Sequence, residues 1–291
     1  MQVIIHAGAH GTEEERLLKT LLRNKEDFLA RGTSVPGPAK YRSLLKDCMQ
    51  AARTGAPSED SRDLLWDAIL DDEAAERVVL SNPHFFGSQR EALDGQRLYP
   101  EAEDRLMALK ALFPRDKLHL FMAIRSPVGF LPALLEKAGQ GRREAVLQET
   151  NPMDLRWSAM IARIRAALPD LPITLWCYED SPMIWPQLLR EFGNLAPNSK
   201  VRGGLDMLSE IMSREGMKRL RDYLHERPDM TEPLKRRVFA AFLDKFALDH
   251  EIEEELDIPG WTPEIIDQIE AAYDEDVDTL SLIPGVTLLE P

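Results

Sequence analysis

The stretch that decides the fold is MQVIIHAGAHGT, residues 1–12. Residues 1–5 are a short apolar run suited to a buried parallel strand. A glycine-bearing turn, residues 6–11, leads from this strand into a helix predicted to start near Thr12. A strand, a turn and a helix start in this order build phosphate sites, because backbone N–H groups and the positive end of the helix dipole converge there. The first turn is therefore a candidate anion site.

The residues after this turn favour a different interpretation of the helix start. Glu13, Glu14 and Glu15 put three carboxylates in the first helical turn, where they would repel a bound phosphate. Thr12 followed by Glu15 matches a capping box, in which the threonine oxygen accepts a backbone N–H and the glutamate reaches back. The helix start is thus predicted to be satisfied by its own side chains.

Apolar runs alternate with helical patterns along the first two-thirds of the chain. The predicted strands are residues 1–5, 77–81, 118–124 and 173–178. The predicted helices are 13–30, 41–54, 61–75, 101–113, 128–138, 154–168 and 186–192, with a turn at 55–58 and loops at 33–38 and 139–151. This alternation predicts an α/β fold with a central parallel sheet covered by helices on both faces.

From Gly204 onwards the sequence is helical and acidic, with 9 Lys/Arg against 22 Asp/Glu. Helices are predicted over 210–225 and 232–250, and a third opens with Thr262 as N-cap and proline at its first position. Residues 283–289 fit a final short edge strand. We expect a single domain over 1–291, with an α/β core in 1–203 and a helical C-terminal subregion in 204–291.

Composition excludes several classes of partner. The formal charge of −14 argues against nucleic acid and against an anionic membrane, and its concentration after Gly204 places any anion site earlier in the chain. No segment reaches the roughly 18–20 apolar residues of a membrane span. The apolar stretch of residues 1–9 is too short for a signal peptide and lacks its basic start, so we expect none, and Cys48 and Cys177 are predicted to be reduced thiols. We therefore expect a cytoplasmic protein.

Ligands of open parallel sheets bind outside the carboxyl ends of the strands. In this chain those ends are residues 6–11, 81–84, 125–126 and 178–180. These four turns together form the candidate site.

Several of these features also point to a known family. The first turn, Arg125 after the third strand, the aromatic-acid stretch 178–180 and the Pro-Gly-Val at 284–286 resemble the bacterial sulfotransferase-like proteins over nearly the whole chain. The resemblance implies a P-loop nucleotide hydrolase/sulfotransferase-like fold and the sulfuryl donor 3′-phosphoadenosine 5′-phosphosulfate. In that family a Lys-Thr-Gly-Thr-Thr stretch holds the 5′-phosphosulfate. An arginine after the third strand and a serine eight positions later hold the 3′-phosphate.

The donor loop departs from the family pattern when the residues are matched without a gap. His6, Gly8 and His10 match the opening of the family's loop. The family's lysine falls on Gly11, its threonine on Thr12, and its Gly-Thr-Thr on the three glutamates of 13–15. The resemblance therefore implies a retained scaffold with a degenerate donor loop. Loss of the lysine matters, because two unit charges about 4 Å apart in a partly shielded site interact by roughly 4 kcal/mol.

Each remaining candidate residue has a functional and a structural interpretation. Arg125 matches the 3′-phosphate arginine, although Ala133 stands in place of the serine, and it could instead pair with the acids of 178–180. His10 could replace the lysine as a donor, or be a loop histidine without function. His84 could be the base that activates an acceptor hydroxyl, or part of a packed loop.

Three functions remain open from the sequence. The first is sulfuryl transfer from 3′-phosphoadenosine 5′-phosphosulfate to an unknown acceptor. The second is a catalytically silent relative that binds a small molecule or, through its acidic C-terminal helices, a protein partner. The third is another group transfer, such as glycosyl transfer. The predicted site comprises catalytic His10 and His84 and donor-binding Gly8, Gly11, Thr12 and Arg125, with no metal site.

Overall fold

The computed structural model describes residues 1–52, 55, 57–58, 60–71, 73–136, 138–252 and 258–291, with the backbone alone at Glu14. Its main strands are β1 Gln2–His6, β2 Thr33–Ser34, β3 Arg77–Ser81, β6 Lys117–Ile124, β7 Ile173–Cys177 and β8 Val286–Leu289. They form one parallel sheet in the order β2-β3-β1-β6-β7-β8. A separate antiparallel hairpin consists of β4 Leu93–Asp94 and β5 Arg97–Leu98.

Helices connect these strands. Those of the first 203 residues are α1 Glu14–Arg23, α2 Lys25–Leu29, α3 Arg42–Ala52, α4 Ser61–Leu70, α5 Ala102–Leu112, α6 Pro127–Leu135, α7 Gln140–Glu149, α8 Trp157–Ala167 and α9 Ser181–Gly193. Those that follow are α10 Asp206–Ile211, α11 Arg214–His225, α12 Glu232–Phe246, α13 Asp249–Ile252 and α14 Pro263–Ser281. None of the helices in the described ranges combines the length and the apolar character that a bilayer crossing requires.

The sheet has a hydrophobic core on each face because successive strand residues point to opposite sides. In β1, Val3 and Ile5 enter one core, which also takes residues of α3, α5 and α8. Ile4 enters the other core, together with residues of α1 and α9. All three side chains are fully buried. The predicted fold class, a central parallel sheet with helices on both faces, is confirmed.

The edges of the sheet give one confirmed prediction and one wrong one. The predicted last strand is present as β8, which pairs in parallel with β7. The predicted loop 33–38 contains β2, whose Thr33 and Ser34 pair with Arg77 and Val78 of β3. Two residues are too few to show an alternating pattern, so the surrounding prolines and glycine dominated the prediction.

Several helix predictions were wrong for identifiable reasons. The predicted connection 139–151 contains α7, which buries none of its residues and so lacks the apolar periodicity that marks a helix. The predicted helix 13–30 is divided at Asn24, whose side-chain amide donates to the carbonyls of Thr20 and Arg202. Three predicted positions lie outside the described residues. They are Thr54, the predicted end of helix 41–54, the turn residue Ala56, and Lys137 of the predicted helix 128–138.

The chain after Gly204 first forms a small helical cluster and then returns to the sheet. The predicted helix 210–225 is interrupted before Ser213, whose hydroxyl caps α11 by accepting the N–H of Gly216 at 3.2 Å. The predicted cap of α14 is confirmed, since the Thr262 hydroxyl accepts the N–H of Ile265. Asp276 of α14 is buried and accepts the N–H of Trp157 at 2.6 Å, which ties this helix to the start of α8.

Candidate functional site

The register of the parallel strands brings the predicted turns to one edge of the sheet. His6, the last residue of β1, is aligned with Ser81 of β3 and with Phe121 of β6. The His6 Nδ1 atom lies 2.8 Å from the Ser81 hydroxyl, so the first two turns begin in contact. Burial, and secondarily the charge of Arg42, lowers the pKa of His6 to about 3, which keeps its ring neutral at pH 7.

The loop between β1 and α1, residues 7–13, does not form the predicted capping box. The Thr12 hydroxyl donates to the carbonyl of Ala9 at 2.7 Å, and α1 begins two residues later at Glu14. The Glu15 carboxylate does not turn back to the backbone but binds Arg42 of α3 at 2.7 Å. The prediction failed because Arg42, 27 residues away in sequence, is a stronger partner than a backbone N–H.

Glu13 occupies the interior at the start of α1. Only 2% of its surface is exposed, and its Oε1 accepts hydrogen bonds from the Trp176 indole and from the Ser181 hydroxyl. Its Oε2 is buried without a hydrogen-bond partner among the described residues. Burial raises the pKa of this carboxyl above its ordinary value, because the charged form is poorly solvated. Glu13 therefore links α1 to β7 and α9 and faces away from solvent.

Arg125 lies against the same loop. Its guanidinium donates to the carbonyl of Gly11 and stacks over the Tyr178 ring, 4.9 Å from the ring centroid. Gly11 has a φ of 75°, and a β-carbon there would come within 2.5 Å of the Ala133 side chain. Gly8 is buried beside Thr12, whose hydroxyl would lie 3.4 Å from a β-carbon at Gly8. The four predicted donor-binding residues thus lie together, held by contacts within the protein.

The two predicted catalytic histidines are also in contact. His10 Nε2 lies 3.3 Å from His84 Nδ1, and His10 Nδ1 lies 2.8 Å from the hydroxyl of Tyr99. The same hydroxyl accepts the backbone N–H of His10 at 2.8 Å. The side chain of Asn82 accepts the N–H of His84 and so fixes the turn after β3. Burial, with a smaller contribution from His84, lowers the pKa of His10 to about 4.

A cleft of about 780 Å³ opens beside His84, between α3, the segment after β3 and α5. Its charged lining consists of the cations Arg42, Lys46 and Arg105 and the carboxylates Asp47 and Glu91. The two arginines are partly engaged: Arg42 binds Glu15 and the Ser81 carbonyl, and Arg105 lies 3.7 Å from Glu91. The volume is sufficient for a small organic ligand.

Sequence reasoning did not find Tyr99, Arg42 or Arg105. Tyr99 follows the short hairpin β4–β5 and is fully buried with an unusual φ of 43°. Arg42 and Arg105 lie on helices, away from the carboxyl ends of the strands, where ligands of parallel sheets are expected. A buried tyrosine beside a turn has no local sequence signature, whereas Arg42 and Lys46 four positions apart on one helix could have indicated a cationic face.

The residues of loop 7–13 do not fit the phosphosulfate group of the donor. Glu13 places a carboxyl inside the first turn, Gly11 stands at the lysine position, and the guanidinium of Arg125 is bound to the Gly11 carbonyl. For metals, no group of three or more His, Cys, Asp or Glu residues in the described ranges is arranged to hold an ion. The carboxylates of Glu13 and Glu15, which follow this turn, already have partners within the protein.

The chain was compared with known proteins by sequence and by structure. No protein-family model matches it, and no curated protein matches it in sequence. Among solved structures it is similar to a sulfotransferase from Alicyclobacillus acidocaldarius, with 12% identity over 96% of this chain and 93% of that chain and a TM-score of 0.39. A likeness at this score carries no argument about function. The function must therefore be argued from the site.

Proposed function

We propose that this protein binds a small ligand in the cleft beside His84 and does not hold 3′-phosphoadenosine 5′-phosphosulfate in loop 7–13. In this proposal the chain is a relative of the sulfotransferase-like proteins that keeps their scaffold and has replaced their donor site. The cleft between α3 and α5 is the ligand site, since it lies at the carboxyl end of β3 and carries three cations and a histidine.

The observation that carries this proposal is the position of Arg125. Its guanidinium, the best candidate for a phosphate contact, donates to the Gly11 carbonyl and packs on Tyr178. A ligand phosphate would have to replace this charge-assisted hydrogen bond, and residues 7–13 contain no lysine or arginine to assist it.

Calorimetric titration with 3′-phosphoadenosine 5′-phosphate, the stable product nucleotide, tests the proposal. We expect Arg125→Ala to leave any binding heat of the wild type unchanged, because loop 7–13 does not hold the nucleotide. Micromolar binding that is lost in Arg125→Ala would overturn the proposal and restore Arg125 as a 3′-phosphate ligand. Arg97→Ala is the matched control, because Arg97 is a half-exposed arginine of the hairpin that pairs with Glu103 of α5. Circular dichroism of each variant shows whether the fold is retained.

Sulfuryl transfer is the second candidate function. It is supported by the contact between His10 and His84, which puts two imidazoles between the donor loop and the cleft, 3.3 Å apart. In this alternative His10 and Arg125 act on 3′-phosphoadenosine 5′-phosphosulfate and His84 acts on the acceptor. Micromolar nucleotide binding in the same titration would favour it, and phenols, alcohols and amines would then be screened as acceptors. The acidic helices after Gly204 remain a proposed surface for a protein partner in either case.

A further inference from the structure

The buried hydroxyl of Tyr99 determines where the hydrogens of both histidines lie. This hydroxyl accepts the backbone N–H of His10, and it lies 2.8 Å from His10 Nδ1. A tyrosine hydroxyl has one hydrogen, and burial raises the pKa of Tyr99 so that this hydrogen is retained at pH 7. Among the described residues the hydroxyl has no other hydrogen-bond acceptor than His10 Nδ1. Tyr99 is therefore the donor and Nδ1 the acceptor.

The opposite arrangement is disfavoured by the cost of an unpaired buried group. If His10 Nδ1 carried the hydrogen, the Tyr99 oxygen would accept two N–H groups and its own hydrogen would have no acceptor. Tyr99 is fully buried, so water cannot supply one. Leaving a buried donor unpaired is costly, so the first arrangement should be favoured roughly fivefold or more.

The hydrogen of His10 then determines the state of His84. His10 is neutral at pH 7, since its pKa is lowered to about 4, and its single ring hydrogen must be on Nε2 because Nδ1 accepts. Nε2 lies 3.3 Å from His84 Nδ1 and donates to it. His84 Nδ1 is thus an acceptor, and in neutral His84 the hydrogen is on Nε2.

We propose that Tyr99 is a positioning residue that makes His84 a hydrogen-bond donor to an oxyanion ligand, such as a phosphate or sulfate ester, in the cleft. This inference rests on the proposed function and names its ligand class. It differs from the prediction of His84 as a base, because the Nε2 that remains for a ligand carries a hydrogen. His84 is exposed and lines the cleft, so a ligand can reach it.

Two further hydrogen-bond donors of the cleft support the proposal that its ligand is an oxyanion. The side chains of Arg42 and Arg105 both line the cleft. Arginine forks are well suited to phosphate and sulfate oxygens. The carboxylates of the lining are less available to repel them: Glu91 accepts the N–H of Ser88 at 2.7 Å, and Asp47 is exposed to water.

Nitrogen NMR of the histidine rings tests the inference without any ligand. The chain has six histidines, so ¹⁵N-histidine labelling gives a simple spectrum, and the His84 signals are assigned by their loss in His84→Gln. At pH 7.5 we expect a protonated Nε2 and an unprotonated Nδ1 on both His10 and His84. A protonated Nδ1 on His84 in the wild type would overturn the inference, whatever the variants show.

Tyr99→Phe and a phosphate titration complete the test. Removal of the hydroxyl should let His84 populate both neutral tautomers and weaken the binding of inorganic phosphate about twofold, since only the tautomer with the hydrogen on Nε2 can donate. Tyr41→Phe is the matched control, because Tyr41 is a fully buried tyrosine whose hydroxyl binds the Ser81 backbone and contacts neither histidine. Saturable shifts of His84 with phosphate support the ligand class, and their absence from a wild type with the expected tautomers would overturn it. Neither result depends on the adenosine nucleotide titration, so failure of the two proposals can be distinguished.

Discussion

The turn after β1 and the turn after β3 lie side by side at the same edge of the sheet, yet their polar groups have different partners. In the first turn the Thr12 hydroxyl, the Oε1 atom of Glu13 and the Gly11 carbonyl are all bound to other parts of the protein. In the second, His84 is exposed and the neighbouring cleft is lined by Arg42, Lys46 and Arg105. Side chains buried in contacts within the protein cannot bind a ligand without losing those contacts, whereas side chains that line an open cleft can.

The difference teaches where to look for function in this fold. The sequence pattern that suggests an anion site is at the first turn, but the groups available for a ligand are beside the second. If the first turn is structural, its variants should change stability, whereas variants of the cleft should change binding and leave stability almost unchanged. The following predictions test this contrast, from the largest effect to the smallest.

Glu13→Ala should be the most damaging change in the first turn. It removes the acceptor of two buried donors, Trp176 Nε1 and the Ser181 hydroxyl. Leaving both unpaired should lower the free energy of unfolding by about 3 kcal/mol, measured by urea denaturation. Glu13→Gln keeps a carbonyl acceptor and is the control, with a loss below about 1 kcal/mol. Equal losses in the two variants would contradict a hydrogen-bonding role for Glu13.

Gly11→Ala should cause the next largest loss of stability. The φ of 75° is unfavourable for a residue with a side chain, and the new β-carbon would meet Ala133 at 2.5 Å. We expect a loss of about 2 kcal/mol in the free energy of unfolding, of which roughly half comes from the backbone conformation. Gly37→Ala is the control, because Gly37 has extended backbone angles and open space around its β position. Similar denaturation midpoints for the two variants would show that loop 7–13 is not tightly packed.

The buried carboxyl of Glu13 should have a smaller effect, which appears in the pH dependence of stability. Burial raises the pKa of Glu13, so the folded protein holds this proton to higher pH than the unfolded chain. The free energy of unfolding must then fall as pH rises from the unfolded pKa to the folded pKa, by at most about 1.4 kcal/mol per pH unit. Glu13→Gln lacks this contribution, so the wild type should lose stability relative to the variant as pH rises above the ordinary pKa of a glutamate. The lowered pKa values of His6 and His10 act in both proteins and cancel in the difference. A constant difference would mean that the carboxyl titrates normally.

The inner strands could be predicted because their apolar runs carry the signal locally. The same is true of β8 and of the Thr262 cap, each of which depends on neighbours in sequence. The prediction of a capping box at Thr12 and Glu15 was wrong because Glu15 binds Arg42, which only the folded structure brings near. Tyr99 was missed for the same reason, since it is 89 residues from the histidine that it binds. Sequence could thus locate the edge of the sheet, but not which polar groups there are already paired.

Lys46→Ala should give the smallest change in stability and thereby complete the contrast. Lys46 is exposed on α3 and lines the cleft, and alanine is a good helix former, so the free energy of unfolding should stay within about 0.5 kcal/mol of the wild type. Because an exposed cation contributes about 0.2–1 kcal/mol to a charged partner, the affinity for inorganic phosphate should fall by a factor of only about 1.4 to 5. Lys19→Ala on α1 is the control, since Lys19 is an exposed helical lysine outside the cleft lining. If both variants weaken phosphate binding equally, the effect comes from net charge, and the proposal that the cleft is the ligand site would be wrong. If only Lys46→Ala weakens phosphate binding, Lys46 contributes to binding and not to folding. Glu13 is the opposite case, because it contributes to folding and not to the cleft.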